Sequence, residues 1–193
     1  MRSRVLDLGD VPHRPDPRPR AGGANHDESE SDAANRGILR LYAGAVDGCL
    51  ACELTTGERE LPGGLIHETR HWVVEHCVGP LGVGTLIVKP RRHVTHIWEL
   101  DDAEALELGP LLQKASGAIA ELLGPEQIYA SLWSHAGGTP VHIHWVLQPI
   151  GPDRLEGLFG PSLQTRMFER DEHPPTAAVE AVAGQLRLRL ASR

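Results

Sequence analysis

Apolar residues recur along this chain with two different periods, and each period marks a kind of element. Over "VHIHWVLQP", Val141, Ile143, Trp145 and Leu147 alternate with His142, His144, Val146 and Gln148, the two-residue period of a strand. A continuous apolar run, "GTLIVKP" at 84–90, reads as a buried strand. Two shorter strands are expected at 65–67 and 71–78, and another over "QIYASLW", joined by the loop "SHAGGTP" to the alternating one. In "DDAEALELGPLLQKASGAIAELLG" the period lengthens to that of a helix. Leu108, Leu111, Leu112, Ala115, Ile119 and Leu122 trace its apolar face, Asp101 and Glu104 form a capping box, and Gly124 stops it. Gly109-Pro110 predicts a kink after two turns. "ILRLYAGAV" reads as a short helix leading into a Cys-x-x-Cys turn, and Pro174-Pro175 opens a last helix ending near Leu190. Strands and helices do not alternate regularly, so the fold class is α+β rather than a doubly wound sheet.

Composition divides the chain further. Residues 1–37 alternate proline with arginine and then turn small and acidic, with too little apolar surface to offset chain entropy, so a disordered extension is expected there. One folded domain follows over 38–155, with a C-terminal tail and its helix over 156–193. Lys+Arg number 19 against Asp+Glu 26, which argues against a nucleic-acid-binding protein. No apolar stretch is long enough to span a membrane and no apolar h-region follows Arg2 and Arg4, so a cytoplasmic protein is expected.

The candidate chemistry lies in histidine and cysteine. Eleven histidines are an excess that leans towards metal or phosphate chemistry, and three cysteines are too few for a disulfide framework. Cys49-Leu-Ala-Cys52 has the spacing of a redox pair or of half a metal site. On the last strand the odd residues face the core and the even ones present His142 and His144 roughly 7 Å apart. Ligands, catalysts and incidental residues of a half-exposed strand all fit that pattern. Gly138 and Thr139, just before it, offer backbone N–H groups and a hydroxyl to an anion.

From Gly48 to Ile150 the order "CLAC", a two-stranded unit, "GTLIVKPRRH", a long helix and a Gly-rich loop entering His-x-His resembles the histidine triad superfamily of nucleotide hydrolases and transferases. The resemblance implies an antiparallel sheet with a long helix, a homodimer, and a nucleotide or dinucleoside polyphosphate as substrate. It makes His144 the nucleophile that attacks a nucleotide's α-phosphate and carries a nucleotidyl-histidine intermediate, work for which a neutral imidazole suffices. In a subset of such proteins a structural zinc ion is held at positions that here are Cys49, Cys52, His93 and His142.

The pattern is incomplete. Valine stands at 146, where the third triad histidine is expected, and Gln148 or His135 is a candidate to replace its contact with phosphate. Cys77 falls where relatives carry an acid that meets the ribose, and Glu75, on the same strand face, is the candidate substitute. His67, His71 and His76 read as strand-surface residues; Trp72, Trp133 and Trp145 read as core fillers; Arg91 and Arg92 read as solvated. The alternative to an enzyme is a catalytically weakened nucleotide-binding zinc protein on the same scaffold.

Overall fold

A computed structural model describes residues 44–136, 138–152 and 157–192. The extension over 1–37 and the helix expected from Ile38 onward, up to residue 43, lie outside the described residues. Element order is α1 (Leu50–Thr56), β1 (Leu65–Glu68), β2 (Trp72–His76), β3 (Leu86–Pro90), a 3-10 turn (Ile97–Glu99), α2 (Asp102–Leu123), β4 (Gln127–Ala136), β5 (Thr139–Ile150), α3 (Gly160–Arg170) and α4 (Thr176–Ala191). The strands form one sheet in the order β1-β2-β3-β5-β4, every neighbouring pair antiparallel. This is the α+β class that the irregular order of elements predicts. No helix among the described residues is long and apolar enough to cross a membrane.

Alternation decides which residues meet. Leu86 and Val88 of β3 pair with Leu147 and Trp145 of β5, and with Trp72, Val74 and Ile143 they make one apolar face. That face packs on Leu111, Ala115, Ala118 and Ile119 of α2 and on Ala183, Leu186 and Leu190 of α4. The C-terminal tail is thus part of the core, not an appendage to it. Gly63 marks the contact: its φ is +78°, and a Cβ there would stand 2.6 Å from that of Ala183.

Helix α2 begins with the expected reciprocal cap, Glu104 N–H donating to Asp101 Oδ1 at 2.8 Å and Asp101 N–H to Glu104 Oε2 at 2.9 Å. Arg92 donates to both oxygens of Glu104, each at 2.7 Å, and Arg91 donates to Thr69 O at 3.0 Å, so both arginines brace the fold. The helix runs through Pro110 as one element from Asp102 to Leu123. Pro110 and Leu106, whose carbonyl loses its intrahelical donor, lie on the exposed side where water replaces the bond.

Two expectations need correction. Cys-x-x-Cys is the start of a helix rather than a turn, with Cys49 at the N-cap and Cys52 inside α1. The even face of β5 is not open: Val146 and Gln148 are buried because Leu81 and the unforeseen helix α3, through Met167, cover them, and His142 is buried against Cys49, Cys52 and His93.

Candidate metal centre and active strand

Three separate elements deliver four donor side chains to one place. Cys49 and Cys52, three residues apart around the first turn of α1, present both thiols on one side. His93 follows β3, its backbone N–H held by Gly44 O at 3.2 Å, and His142 projects from β5. The donor atoms of all four lie within 4.8 Å of one another. Cys52 Sγ stands 3.5 Å from His93 Nδ1 and 3.5 Å from His142 Nδ1, with Cys49 Sγ 3.9 Å from His142 Nδ1. A tetrahedron with zinc–ligand bonds of about 2.0–2.3 Å has edges of roughly 3.3–3.8 Å, so these separations fit the cluster to a Cys2His2 structural zinc site.

The protonation pattern suits that role. Nε2 of His142 lies 3.0 Å from Pro90 O, and since a carbonyl only accepts, Nε2 holds the proton and Nδ1 turns a lone pair to the thiols. Its neighbour Cys52 holds the Cys49 thiol far below the usual range, and the same contact pushes Cys52 up. One thiolate is thus favoured within the pair without a metal, and a divalent ion would favour both.

Beneath the pair sits Lys89, a residue to which the sequence reading assigned no role. Its ammonium is fully buried and donates to Glu75 Oε1 at 2.7 Å and to Ala51 O, inside the Cys-x-x-Cys segment, at 2.6 Å. A lone lysine in "GTLIVKP" and a lone glutamate in "HWVVEHCV", each amid apolar residues, were the available signal. Burial raises the Glu75 carboxyl, opposed by Lys89, and Glu75 Oε2 has no hydrogen-bond partner among the described residues.

His144 is the one residue of the even face from His142 to Gln148 that reaches the surface. Its Nδ1 lies 3.0 Å from His142 O, which fixes the proton there and leaves the Nε2 lone pair free. Burial lowers its pKa, against the hydrogen bond to His142 O, and so favours the neutral ring. Beside it Trp133, its Cα partner on β4, is only half-buried, with ring centroids 6.1 Å apart. Trp72 and Trp145 do fill the core, edge to face at 5.6 Å.

The other substrate candidates do not gather at His144. Gln148 is fully buried, its amide donating to Leu81 O at 3.2 Å and its carbonyl accepting from Gln164 at 3.2 Å. Glu75 is buried against Lys89. Neither has a free surface for a ligand, because α1 and α3 cover this side of the sheet. Gly138 and Thr139 form the tip of the β4–β5 hairpin, where the Thr139 hydroxyl donates to Ala136 O at 3.0 Å. Five residues of extended strand, roughly 17 Å, separate Thr139 from His144. His135, opposite Pro140, is at the same end. His76 is also not a surface residue: it is buried, with Nδ1–H donating to Cys77 O at 2.8 Å and Nε2 accepting from Gly84 N–H at 2.9 Å.

By sequence, neither a protein-family profile nor a curated protein matches the chain. By structure it is similar to a zinc-bound histidine triad family protein from Mycobacterium smegmatis, at TM-score 0.56 and 17% identity over 75% of this chain and 94% of that one. A hypothetical histidine triad nucleotide-binding protein from Sulfolobus tokodaii gives 0.57 and 18%, over 75% and 93%. A Hit-like protein involved in cell-cycle regulation from Bartonella henselae gives 0.58 and 16%, over 76% and 98%. These likenesses are of architecture, and the chain has the histidine triad fold.

Proposed function

We propose that this chain is a divergent histidine triad protein that hydrolyses or transfers nucleotides through a nucleotidyl-histidine intermediate on His144. The observation that carries the reading is the fixed tautomer of His144: Nδ1–H is tied to His142 O, and the unprotonated Nε2 belongs to a half-exposed ring. In the first step the Nε2 lone pair forms a bond to the α-phosphorus of a nucleoside phosphoramidate or dinucleoside polyphosphate. The bond to the leaving group breaks, and the leaving group departs with its electron pair. Water or another acceptor then displaces the nitrogen, which recovers its lone pair.

Cys49, Cys52, His93 and His142 would hold a zinc ion with no open position, and the ion would supply a cross-link between α1, the segment after β3 and β5. The protein's own part is to orient His144: the carbonyl that fixes its tautomer belongs to His142, so the ligand strand and the nucleophile strand are one. We also assign the protein to the cytoplasm, and to a homodimer joined through α2 and β4, whose outer edge has no partner strand among the described residues.

Incubation with adenosine 5′-phosphoramidate or diadenosine tetraphosphate tests the reading. Intact mass should reveal a nucleotidyl adduct that is absent in His144→Ala, and full turnover by that variant would sink it. One observation favours a second reading, a zinc protein that binds nucleotides with little turnover. Val146 takes the third histidine's place and is fully buried, with Trp133 packed on its cluster, so that position offers no donor to a phosphate. Saturable nucleotide binding without adduct or product would select it.

A further inference from the structure

An open cleft of about 510 Å³ lies beside His144, lined by Trp133 and by Pro161, Gln164, Thr165, Phe168 and Glu169 of α3. The α3 residues recur at the spacing of one helical face, so the helix presents a single side to the cleft. Trp133 is common to cleft and site. Its ring centroid is 6.1 Å from that of His144 and 5.4 Å from that of Phe168, with the two aromatic planes inclined by 39°. Trp133 and Phe168 therefore make one continuous aromatic wall that begins at the imidazole. Phe168 is 43% exposed, a large side chain left at the surface although α3 buries Leu163 nearby.

We propose that this cleft holds the base of the nucleotide whose phosphate meets His144, an inference that rests on the assignment of His144 above. The chemistry of the walls selects a planar ring over a phosphate. No lysine, arginine or histidine is among the lining residues, and the one charged lining group, the Glu169 carboxylate, is already paired with Arg166 at 3.2 Å, so the walls offer an anion no cation of their own. An aromatic wall instead stacks with the π-face of any base. Thr165 and Gln164 add a hydroxyl and an amide that can meet the hydrogen-bonding edge of a ring. On the opposite side of His144 the sheet is closed by α1 and the Lys89–Glu75 pair, so the cleft is where a group attached to the phosphate has room.

The test uses the full-length, metal-loaded protein, with AMP as probe and ribose 5-phosphate as the same molecule without its base. AMP should bind at least about tenfold more tightly than ribose 5-phosphate. Phe168→Ala, a change at an exposed position, should remove about tenfold from AMP binding and leave ribose 5-phosphate unaffected. Equal affinity for the two probes, an AMP preference that survives Phe168→Ala, or no AMP binding at all would overturn the proposal. Adduct formation with adenosine 5′-phosphoramidate separates the two readings. A base preference lost in Phe168→Ala upholds the cleft even if His144 forms no adduct. An adduct that forms equally fast in wild type and Phe168→Ala overturns the cleft and leaves the role of His144 standing.

Discussion

The ammonium of Lys89 donates to the carbonyl of Ala51, 2.6 Å away, inside the segment that carries the two cysteines. A buried cation thereby holds the first turn of α1 against β3, and its charged partner is Glu75 at 2.7 Å. Lys89→Met removes both bonds and leaves the Glu75 carboxyl alone in the core. Breaking such a pair costs about 3–5 kcal/mol, to be read by urea denaturation. Adding Glu75→Gln should recover much of that loss, because the orphaned charge disappears. Equal stability of the single and double variants would show that the charge pair is not the origin of the effect.

The cluster of Cys49, Cys52, His93 and His142 leads to a composition measurement. Purified protein should carry one zinc per chain by elemental analysis, and Cys52→Ala should carry none. Structural zinc contributes on the order of 10 kcal/mol of apparent binding energy in zinc-finger peptides at neutral pH. A strong chelator should therefore lower the unfolding temperature of the wild type markedly and leave that of Cys52→Ala unchanged. An unfolding temperature indifferent to chelator would remove the metal from the account of the fold.

His76 sets a pH dependence separate from the metal cluster. Burial lowers its pKa from the ordinary 6.5, opposed by the hydrogen bond to Cys77 O. The folded chain therefore takes up this proton less readily than the unfolded chain. Its contribution to stability is complete above about pH 6.5 and is lost as pH falls towards the folded pKa. A single proton gives a slope of at most about 1.4 kcal/mol per pH unit. Protonation also sets Nε2–H against the Gly84 N–H that now donates to it. Denaturation of wild type and His76→Asn between pH 7.5 and 5 should show a shallower loss in the variant. Parallel curves would mean that His76 is not the group responsible.

Local pattern made the sheet and its long helix legible, since periodicity, capping box and stop glycine are all written in adjacent residues. The metal set was legible by resemblance, at the spacings that carry Cys49, Cys52, His93 and His142, and the structure brings these four together. The cover on the second face was not. Helix α3 buries little beyond Leu163 and Gln164 and is polar on average, so "GPSLQTRMFER" falls within the expected C-terminal tail. That helix is what closes the position of Gln148, while Lys89 and α1 close that of Glu75. For pairings between distant segments, such as Lys89 with Ala51, local sequence shows at most the lone charge amid apolar residues and not its partner.

Restoring the third histidine is the sharpest consequence of that hidden cover. If Val146 were simply a lost catalytic residue, Val146→His would return a phosphate-binding donor and raise turnover. The structure opposes this. Val146 is fully buried in the cluster with Cys77, Leu81 and Ile87, with Trp133 and Met167 packed against it. An imidazole is larger than the isopropyl group it would replace, and its nitrogens would enter an apolar environment without partners. Val146→His should therefore destabilise the protein by about 1–3 kcal/mol in denaturant titrations. It should also leave nucleotidyl transfer to His144 no faster in single-turnover measurements. A variant as stable as wild type with faster turnover would show that the second cluster opens readily and that the triad is only one substitution from complete.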